Sequence, residues 1–356
     1  MAKKSISFLG TLVAATTFLL GSHLPAYPCS RVLWNEDGKM VVVGRSMDWA
    51  YPLPVNLWLL PRGIARDGMT GRNTLKWTAK YGSVVAADFI ESTGNGEEGF
   101  VADGMNEKGL AAHALWLTES EYGRRDEKLP GLSIGLWVQY FLDNFATVNE
   151  ATEFVQETPF QIVTTLEQAL HVVIEDSTGD SAVIEYIGGK ARTYHGREYT
   201  VATNSPTFDK QIEHLKEYKT FGGEKPLPGT TQPEDRFVRG AYYLKTLPKP
   251  ADWWQCVTGV LSVIRNVSQP FGVADPSQPY ISATQWRTVS DLTDLTYYFE
   301  STTSPNIIWV QLKELDFTKG APVKKVDLIK EPVRVGDTLK QFETAKPFAV
   351  PPTTGK

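Results

Sequence analysis

The residues with the most chemistry in them lie close together near the start of the chain, in Cys29-Ser-Arg-Val-Leu-Trp-Asn-Glu-Asp-Gly-Lys-Met-Val-Val-Val-Gly-Arg-Ser-Met-Asp-Trp49. A thiol stands at one end, and Arg45 and Asp48 stand at the other. A free cysteine thiol ionises near pH ~8.5, and a neighbouring cation lowers that value toward neutrality. A free α-amine ionises near pH ~8, close enough to neutral to act as a general base. If Cys29 were the first residue of the mature chain, one residue would carry both nucleophile and base. An ordinary hairpin with a buried cysteine and a solvated arginine and aspartate would satisfy the same spacing.

The element that must position these groups reads as a β-hairpin. Val32–Trp34 and Met40–Val43 are apolar and β-branched, as strands prefer, and Asp37-Gly38 marks a turn. A three-residue loop, Glu36-Asp37-Gly38 with Gly38 in a left-handed bulge, would set Cys29 directly opposite Arg45 on one face. A two-residue Asp-Gly turn would set Ser46 opposite Cys29 instead. The first register is preferred because it places a guanidinium against the thiol. Asp48, just past the paired region, could then curl back toward an N-terminal amine.

Residues 1–28 read as an export signal with a short propeptide. Lys3-Lys4 is a basic start, Ile6–Leu20 an apolar core, and Leu24-Pro-Ala26 supplies a small residue for cleavage. The apolar run is too short for a stable membrane span. Cleavage after Ala26 would leave Tyr27-Pro28 ahead of Cys29, to be removed by attack of Cys29 on its own preceding peptide bond. A lipidated Cys29 is the rival reading, but a bulky Tyr27 and Pro28 fit poorly where lipoprotein signals need small residues.

An apolar content of 42% supports a substantial core. The net charge of −5, without long like-charge runs, argues against a nucleic-acid partner. Ten tryptophans and 14 tyrosines suit an aromatic-lined pocket, though most are expected in the core. Two cysteines in an exported chain suggest one disulfide, but Cys256 lies in the apolar Trp253-Trp-Gln-Cys-Val-Thr-Gly-Val-Leu261 and is expected to be a buried structural thiol. The five histidines show no metal-ligand spacing such as His-Glu-x-x-His, so no metal or other cofactor is expected.

Further along, Leu57–Pro61 reads as a strand and Leu75–Ala87 as two. Glu91–Gly99 reads as a Gly-rich loop, either an entry point for substrate or an irregular surface turn. Asn106-Glu-Lys-Gly109 is a turn between strands, Leu129–Phe145 a helix by the spacing of Leu132, Leu136 and Tyr140, and Asn149–Gln156 a second helix opened by a capping residue. A meander is expected over residues 170–194, and Thr200–Phe208 ends a strand at Asn204. Helices follow at Phe208–Tyr218, Glu234–Leu247 and Trp253–Ile264, then strands at Ala283–Val289, Thr296–Phe299 and Asn306–Leu312. The segment after Lys340 reads as a loose tail, 341–356. Strands, then helices, then strands, without a repeat, predict an α+β fold in which a two-layer sheet core is flanked by helices, in one domain over 29–340.

Five stretches, met in order, carry a resemblance: Cys29 with Arg45-Ser-Met-Asp-Trp49, Asp103-Gly-Met-Asn-Glu-Lys-Gly-Leu110, Thr203-Asn-Ser-Pro-Thr-Phe208, Arg236-Phe-Val-Arg239 and Gln285-Trp-Arg-Thr-Val289. Together they resemble the choloylglycine hydrolase family, the bile salt hydrolases and penicillin V acylases of the N-terminal-nucleophile superfamily. The resemblance implies a four-layer αββα sandwich and a self-exposed N-terminal cysteine. It implies Cys29 as nucleophile and, through its amine, base; Asp48 holding that amine; Arg45 stabilising the thiolate; Asn204 donating to the oxyanion; and Arg236 ordering the site, with Arg239 as the nearby alternative. It also implies a backbone N–H donor to the oxyanion at the position of Trp116.

Trp116 replaces the Asn or Tyr of many Gram-positive members, and together with Trp49 looks like the pattern of exported Gram-negative penicillin V acylases, hence a periplasmic enzyme. Two indoles could grip an aromatic or fatty acyl group, or could simply be core. The substrate implied is a small amide: a phenoxyacetyl penicillin or an acyl-homoserine lactone first, with conjugated bile salts as the alternative. The segment between Asn204 and Arg236 is short, so a homotetramer would lack the contact that a longer hairpin gives Gram-positive relatives there. A papain-like Cys–His enzyme would need a helix opening at Cys29. A non-catalytic periplasmic small-molecule-binding protein on the same scaffold is the reading from another class.

Overall fold

The computed structural model describes residues 29–353 apart from 37, 94–95, 165–167 and 272–281, together with the backbone but not the side chains of 89–93 and 96. The export-signal reading therefore lies outside the described residues. Among them stand two large sheets. The first runs in the order Val201–Ala202, Cys29–Trp34, Val42–Asp48, Thr284–Asp291, Thr296–Ser301, Ile307–Gln311 and Gly336–Asp337. The second runs Lys190–His195, Ser181–Ile187, Leu170–Glu175, Ala111–Trp116, Gly96–Asn106, Ser83–Thr93, Val55–Leu60, Lys324–Val326 and Glu343–Thr344.

Both faces of the second sheet are buried, and its side chains alternate accordingly. Leu57, Leu59, Val84, Ala86, Ala111, Leu115, Val173 and Val183 join the core shared with the first sheet. Trp58, Leu60, Val85, Ala112, Ala114, Val172 and Ile174 join a separate core with helices α1 (Trp137–Asn144) and α2 (Val148–Glu157). The outer face of the first sheet is covered by α4 (Pro233–Thr246) and α5 (Trp253–Val267). The layers are therefore helix, sheet, sheet, helix, the αββα sandwich expected. Helix α3 (Phe208–Leu215) lies beside α4. Cys256 is buried on α5 and makes no disulfide with Cys29. Among the described residues no helix is long and apolar enough to cross a membrane.

Three local expectations are corrected. The segment 91–99 is not an open loop but the end of a long hairpin, Ser83–Thr93 against Gly96–Asn106, with its tip at 94–95 outside the described residues. Helix α1 begins at Trp137, not 129, because Gly131–Ser133 pairs in parallel with Gln161–Val163. Gly131 also exchanges backbone bonds with Asn73 and Leu75, and sheet pairing overrides the helical periodicity. Helix α2 is capped by Thr147 rather than Asn149.

The tail is not loose as far as Thr353. Glu343–Thr344 pairs with Lys324–Lys325, Phe348 packs edge-on to Trp58 at 5.1 Å, and Ala349 bonds the backbone of Gly99. Burial of Phe348 and Val350 holds this segment against the second sheet.

Candidate active site

The hairpin forms, but in neither expected register. Cys29 pairs with Met47 and Arg31 with Arg45, so Arg45 lies two pairs removed from Cys29, on the diagonal of the same face. The connection is wider than a tight turn because tertiary contacts draw both its ends outward. Asn35 donates to the carbonyls of Gly179 and Arg197 at 2.7 and 2.9 Å, while Val41 bonds to Thr293 and Leu292. Gly38 does adopt the left-handed conformation, φ +65°. The side-chain period of two keeps Cys29, Arg31, Arg45 and Met47 on one face despite the shift. Arg45 consequently still reaches the thiol: its Nη2 lies 3.9 Å from Cys29 Sγ.

Cys29 is buried at the first described position of its strand, with only 3% of its surface exposed. Its backbone N–H donates to Asn204 Oδ1 at 2.6 Å. Arg236, brought in by α4, is fully buried and forks across the same corner. Its Nη1 donates to Cys29 O and Ser30 Oγ at 2.7 and 2.6 Å, and its Nη2 donates to Asn204 Oδ1 at 2.7 Å. Burial lowers its pKa to about 10, and the nearby Asp48 partly opposes that fall. Arg239 points to the Thr230 carbonyl instead, so Arg236 is the arginine that faces Cys29.

Asp48 ends its strand beside an irregularity in the neighbouring strand, where pairing shifts between Thr284 and Trp286. Such a bulge bends a strand and re-aims its neighbours. Thr284 Oγ1 donates to Asp48 Oδ1 at 2.5 Å, while Asp48 Oδ2 is buried without a hydrogen-bond partner among the described residues. Burial raises the carboxyl to about 6, against the pull of Arg236 foremost, then Thr284 and Arg45. The Cys29 thiol is also pushed up, chiefly by burial. Arg45, the Asp48 backbone N–H and Arg236 draw it down, and the Asp48 carboxylate opposes them.

Asn204 sits at the end of a short strand whose continuation is held from several sides. His171 Nε2 donates to the Thr203 carbonyl at 2.9 Å, Thr203 Oγ1 donates to Gln211 Oε1 at 2.8 Å, and Gln211 Nε2 donates to the carbonyls of Asn204 and Pro206. The Asn204 side-chain amide then donates to the Trp116 carbonyl at 2.8 Å, so Asn204 bridges the Trp116 backbone and the Cys29 backbone nitrogen. The Trp116 indole is buried and meets Trp49 edge-to-face at 6.3 Å; Trp49 is partly exposed.

Of the seven residues singled out in the sequence, Arg45, Asp48, Asn204 and Arg236 surround Cys29, and Trp116, with Trp49 against its ring, joins through Asn204. Sequence reasoning missed Thr284, Ser30, His171 and Gln211, which hold them. It also missed a buried set behind Arg45, made of Asp103, His113, Glu175, Arg31, Tyr297 and Trp286. Asp103 and Trp286 did lie in quoted stretches, but no role could be read from their types alone.

The chain matches the family model described as linear amide C–N hydrolases, choloylglycine hydrolase family, over residues 29–328. It is 41% identical to the penicillin V acylase of Pectobacterium atrosepticum over 96% of this chain and 93% of that protein. The structure of penicillin V acylase from Agrobacterium tumefaciens superposes with a TM-score of 0.82 at 44% identity, covering 90% of this chain and 99% of that one. A bile salt hydrolase/transferase of Clostridium perfringens is 26% identical over 75% of this chain and 83% of its own length. With the Cys29 corner assembled at the start of the matched region and the αββα sandwich in place, the chain belongs to the choloylglycine hydrolase family of linear amide C–N hydrolases.

Proposed function

We propose that this protein is an exported hydrolase of small linear amides that uses Cys29, exposed as an N-terminal residue, as both nucleophile and base. The observation that carries the reading is the convergence on one residue. The Cys29 nitrogen meets Asn204, its sulfur faces Arg45, and its carbonyl is clamped by Arg236. Asp48 Oδ2 remains as an open acceptor in the same buried corner. Once the bond to Pro28 is cut, the new α-ammonium supplies donors for Asp48 and Asn204.

In the first step the thiol gives its proton to the α-amine and the thiolate attacks the amide carbonyl. Asn204 and the backbone at Trp116 stabilise the oxyanion. Removal of one such donor typically costs about 2.7–4 kcal/mol. The α-ammonium protonates the departing amine, leaving an acyl thioester on Cys29. Water, deprotonated by the α-amine, then releases the acid and restores the thiol. In self-removal of Tyr27-Pro28 the Cys29 thiol adds to the Pro28 carbonyl, the Pro28–Cys29 C–N bond breaks as the thiol proton passes to the freed nitrogen, and water hydrolyses the resulting thioester to release Tyr27-Pro28.

The acyl group is assigned to the Trp49–Trp116 pair. Edge-to-face indoles, one of them on the residue whose carbonyl meets Asn204, suit a flat aromatic or an extended fatty chain, so a phenoxyacetyl penicillin and, second, an acyl-homoserine lactone are the substrates favoured. Conjugated bile salts are the second reading, supported by the more distant bile salt hydrolase/transferase relative.

The test is intact mass and N-terminal sequencing of protein exported from a Gram-negative host, followed by turnover of the three amides. A chain beginning at Cys29 that cleaves penicillin V faster than glycine-conjugated bile salt supports the reading. A chain retaining Tyr27-Pro28, or bearing lipid on Cys29, has no free α-amine, and the mechanism fails. Correct processing with no turnover of any amide would favour a binding protein on this scaffold.

A further inference from the structure

His113 is buried between the sheets, and both of its ring nitrogens face carboxylates: Nδ1 donates to Asp103 Oδ2 at 2.5 Å, and Nε2 donates to Glu175 Oε1. With both carboxyls ionised each can only accept, so both nitrogens carry hydrogen and the ring is an imidazolium. The raised His113 pKa, about 9, agrees: the two carboxylates outweigh burial. On the far side Glu175 is paired with Arg31 at 2.9 Å. On the near side Asp103 Oδ1 takes the Tyr297 hydroxyl at 2.5 Å, and Asp103 Oδ2 lies 3.9 Å from Arg45 Nε. Arg31 and Arg45, Tyr297, and Asp103 with His113 and Glu175 come from six strands of both sheets. Asp88 and Asp48 also interact with Arg45, and burial raises their carboxyls to about 7 and about 6.

Arg45 is held lightly for a buried arginine. Its Nη2 donates to the Ala114 carbonyl at 2.9 Å and its guanidinium lies 4.4 Å over the Trp286 ring, but Nε and Nη1 have no hydrogen-bond partner among the described residues. The nearest anion able to capture those idle N–H groups is Asp103, and Asp103 is already engaged by His113 and Tyr297. The guanidinium therefore stands 3.9 Å from Asp103 and 3.9 Å from the Cys29 sulfur, committed to neither.

We propose that His113 is a positioning residue for the nucleophile: by occupying Asp103, its imidazolium keeps the Arg45 guanidinium within reach of Cys29 Sγ instead of letting it collapse onto Asp103. The proposal rests on the reading of Cys29 as nucleophile. Without the imidazolium, Asp103 becomes an unmatched buried anion, Arg45 closes onto it with its idle N–H groups, and the thiolate loses its cation. The same strand that carries His113 also offers the Ala114 carbonyl to Arg45 and the Trp116 carbonyl to Asn204, so thiolate and oxyanion supports share one rigid element.

The experiment is the pH dependence of Cys29 alkylation by iodoacetamide in the wild-type enzyme, His113→Gln and Glu175→Gln, each first shown by intact mass to begin at Cys29. In H113Q the alkylation midpoint is expected to rise by about one pH unit, making alkylation about tenfold slower below it. The same variant is expected to lose kcat at unchanged KM. E175Q keeps the imidazole and is expected to shift the midpoint in the same direction by less. An H113Q profile that coincides with wild type, or moves down, overturns the proposal.

Should H113Q not fold, ¹⁵N-histidine NMR of the wild-type enzyme decides: one imidazole protonated on both nitrogens at about pH 8 supports it, and a neutral tautomer at that position overturns it. If iodoacetamide fails to stop wild-type turnover, the nucleophile assignment itself falls. If it stops turnover and the H113Q profile is unmoved, only the role given to His113 falls.

Discussion

Asn204 Oδ1 accepts two donors at once, the Cys29 N–H at 2.6 Å and Arg236 Nη2 at 2.7 Å. Two donors on one side fix which end of the amide is oxygen, so the Asn204 nitrogen is turned to the Trp116 carbonyl. Arg236 thus sets the polarity of the amide that the proposed mechanism assigns to the oxyanion. The same guanidinium also fixes Cys29 O and Ser30 Oγ. A lysine is a point charge on a flexible stem and cannot reproduce a planar fork onto three acceptors. Arg236→Lys should therefore lower kcat by about one to two orders of magnitude with little change in KM, a loss of roughly 1.4–3 kcal/mol in the transition state. Steady-state kinetics on the processed variant checks this. A large rise in KM with normal kcat would place Arg236 at the substrate instead.

Asp48 gives a pH prediction whose sign follows from its surroundings. Burial raises its carboxyl to about 6 while Cys29 is still linked to Pro28. If Cys29 is released as the N-terminal residue, as proposed, its α-ammonium adds a cation, which favours the carboxylate and moves that value down. As pH falls through it, Asp48 is protonated and its hold on the amine weakens. The acid limb of kcat/KM should therefore lie below pH ~6, and Asp48→Asn should abolish that limb, leaving a low rate that changes little with pH over the same range. An unaltered acid limb in D48N would assign it to another group.

The His113 imidazolium also predicts how stability depends on pH. Its pKa rises from an ordinary 6.5 to about 9 in the folded chain. The folded state therefore binds the proton more tightly than the unfolded state. The resulting stabilisation is fully present below pH ~6.5 and declines as pH rises through ~9, amounting to on the order of 3 kcal/mol. Denaturant midpoints should fall across that window in the wild-type protein. His113→Gln should be less stable at pH ~6 and should show a flatter profile above it.

The gross architecture and the site were legible for different reasons. Alternating apolar residues exposed most strands, and the five ordered stretches located Cys29, Arg45, Asp48, Asn204 and Arg236, which the fold brings together. The hairpin register was not legible, because it depends on Asn35 reaching Gly179 and Arg197, far along the chain. The packed tail was missed for a similar reason. Phe348 looks like an isolated aromatic among prolines until Trp58 is placed beneath it. The His113 set was invisible because Arg31, Asp103, His113 and Glu175 each look like a surface residue in sequence, and only the facing sheets make them one buried cluster.

Trp116 separates packing from binding. Its carbonyl serves Asn204 and depends on the strand rather than the side chain, so the oxyanion support should survive truncation of the indole. The ring itself meets Trp49 at 6.3 Å. If the two indoles form the acyl pocket, Trp116→Ala removes apolar contact present in both ground state and transition state. KM for a phenoxyacetyl amide should then rise about tenfold or more, as expected for losing roughly 1.5–3 kcal/mol of buried aromatic surface, while kcat falls less. An aliphatic amide of short chain, which cannot span the pair, should be affected less. Equal KM values for wild type and W116A would make the ring part of the core and require another surface to select the acyl group.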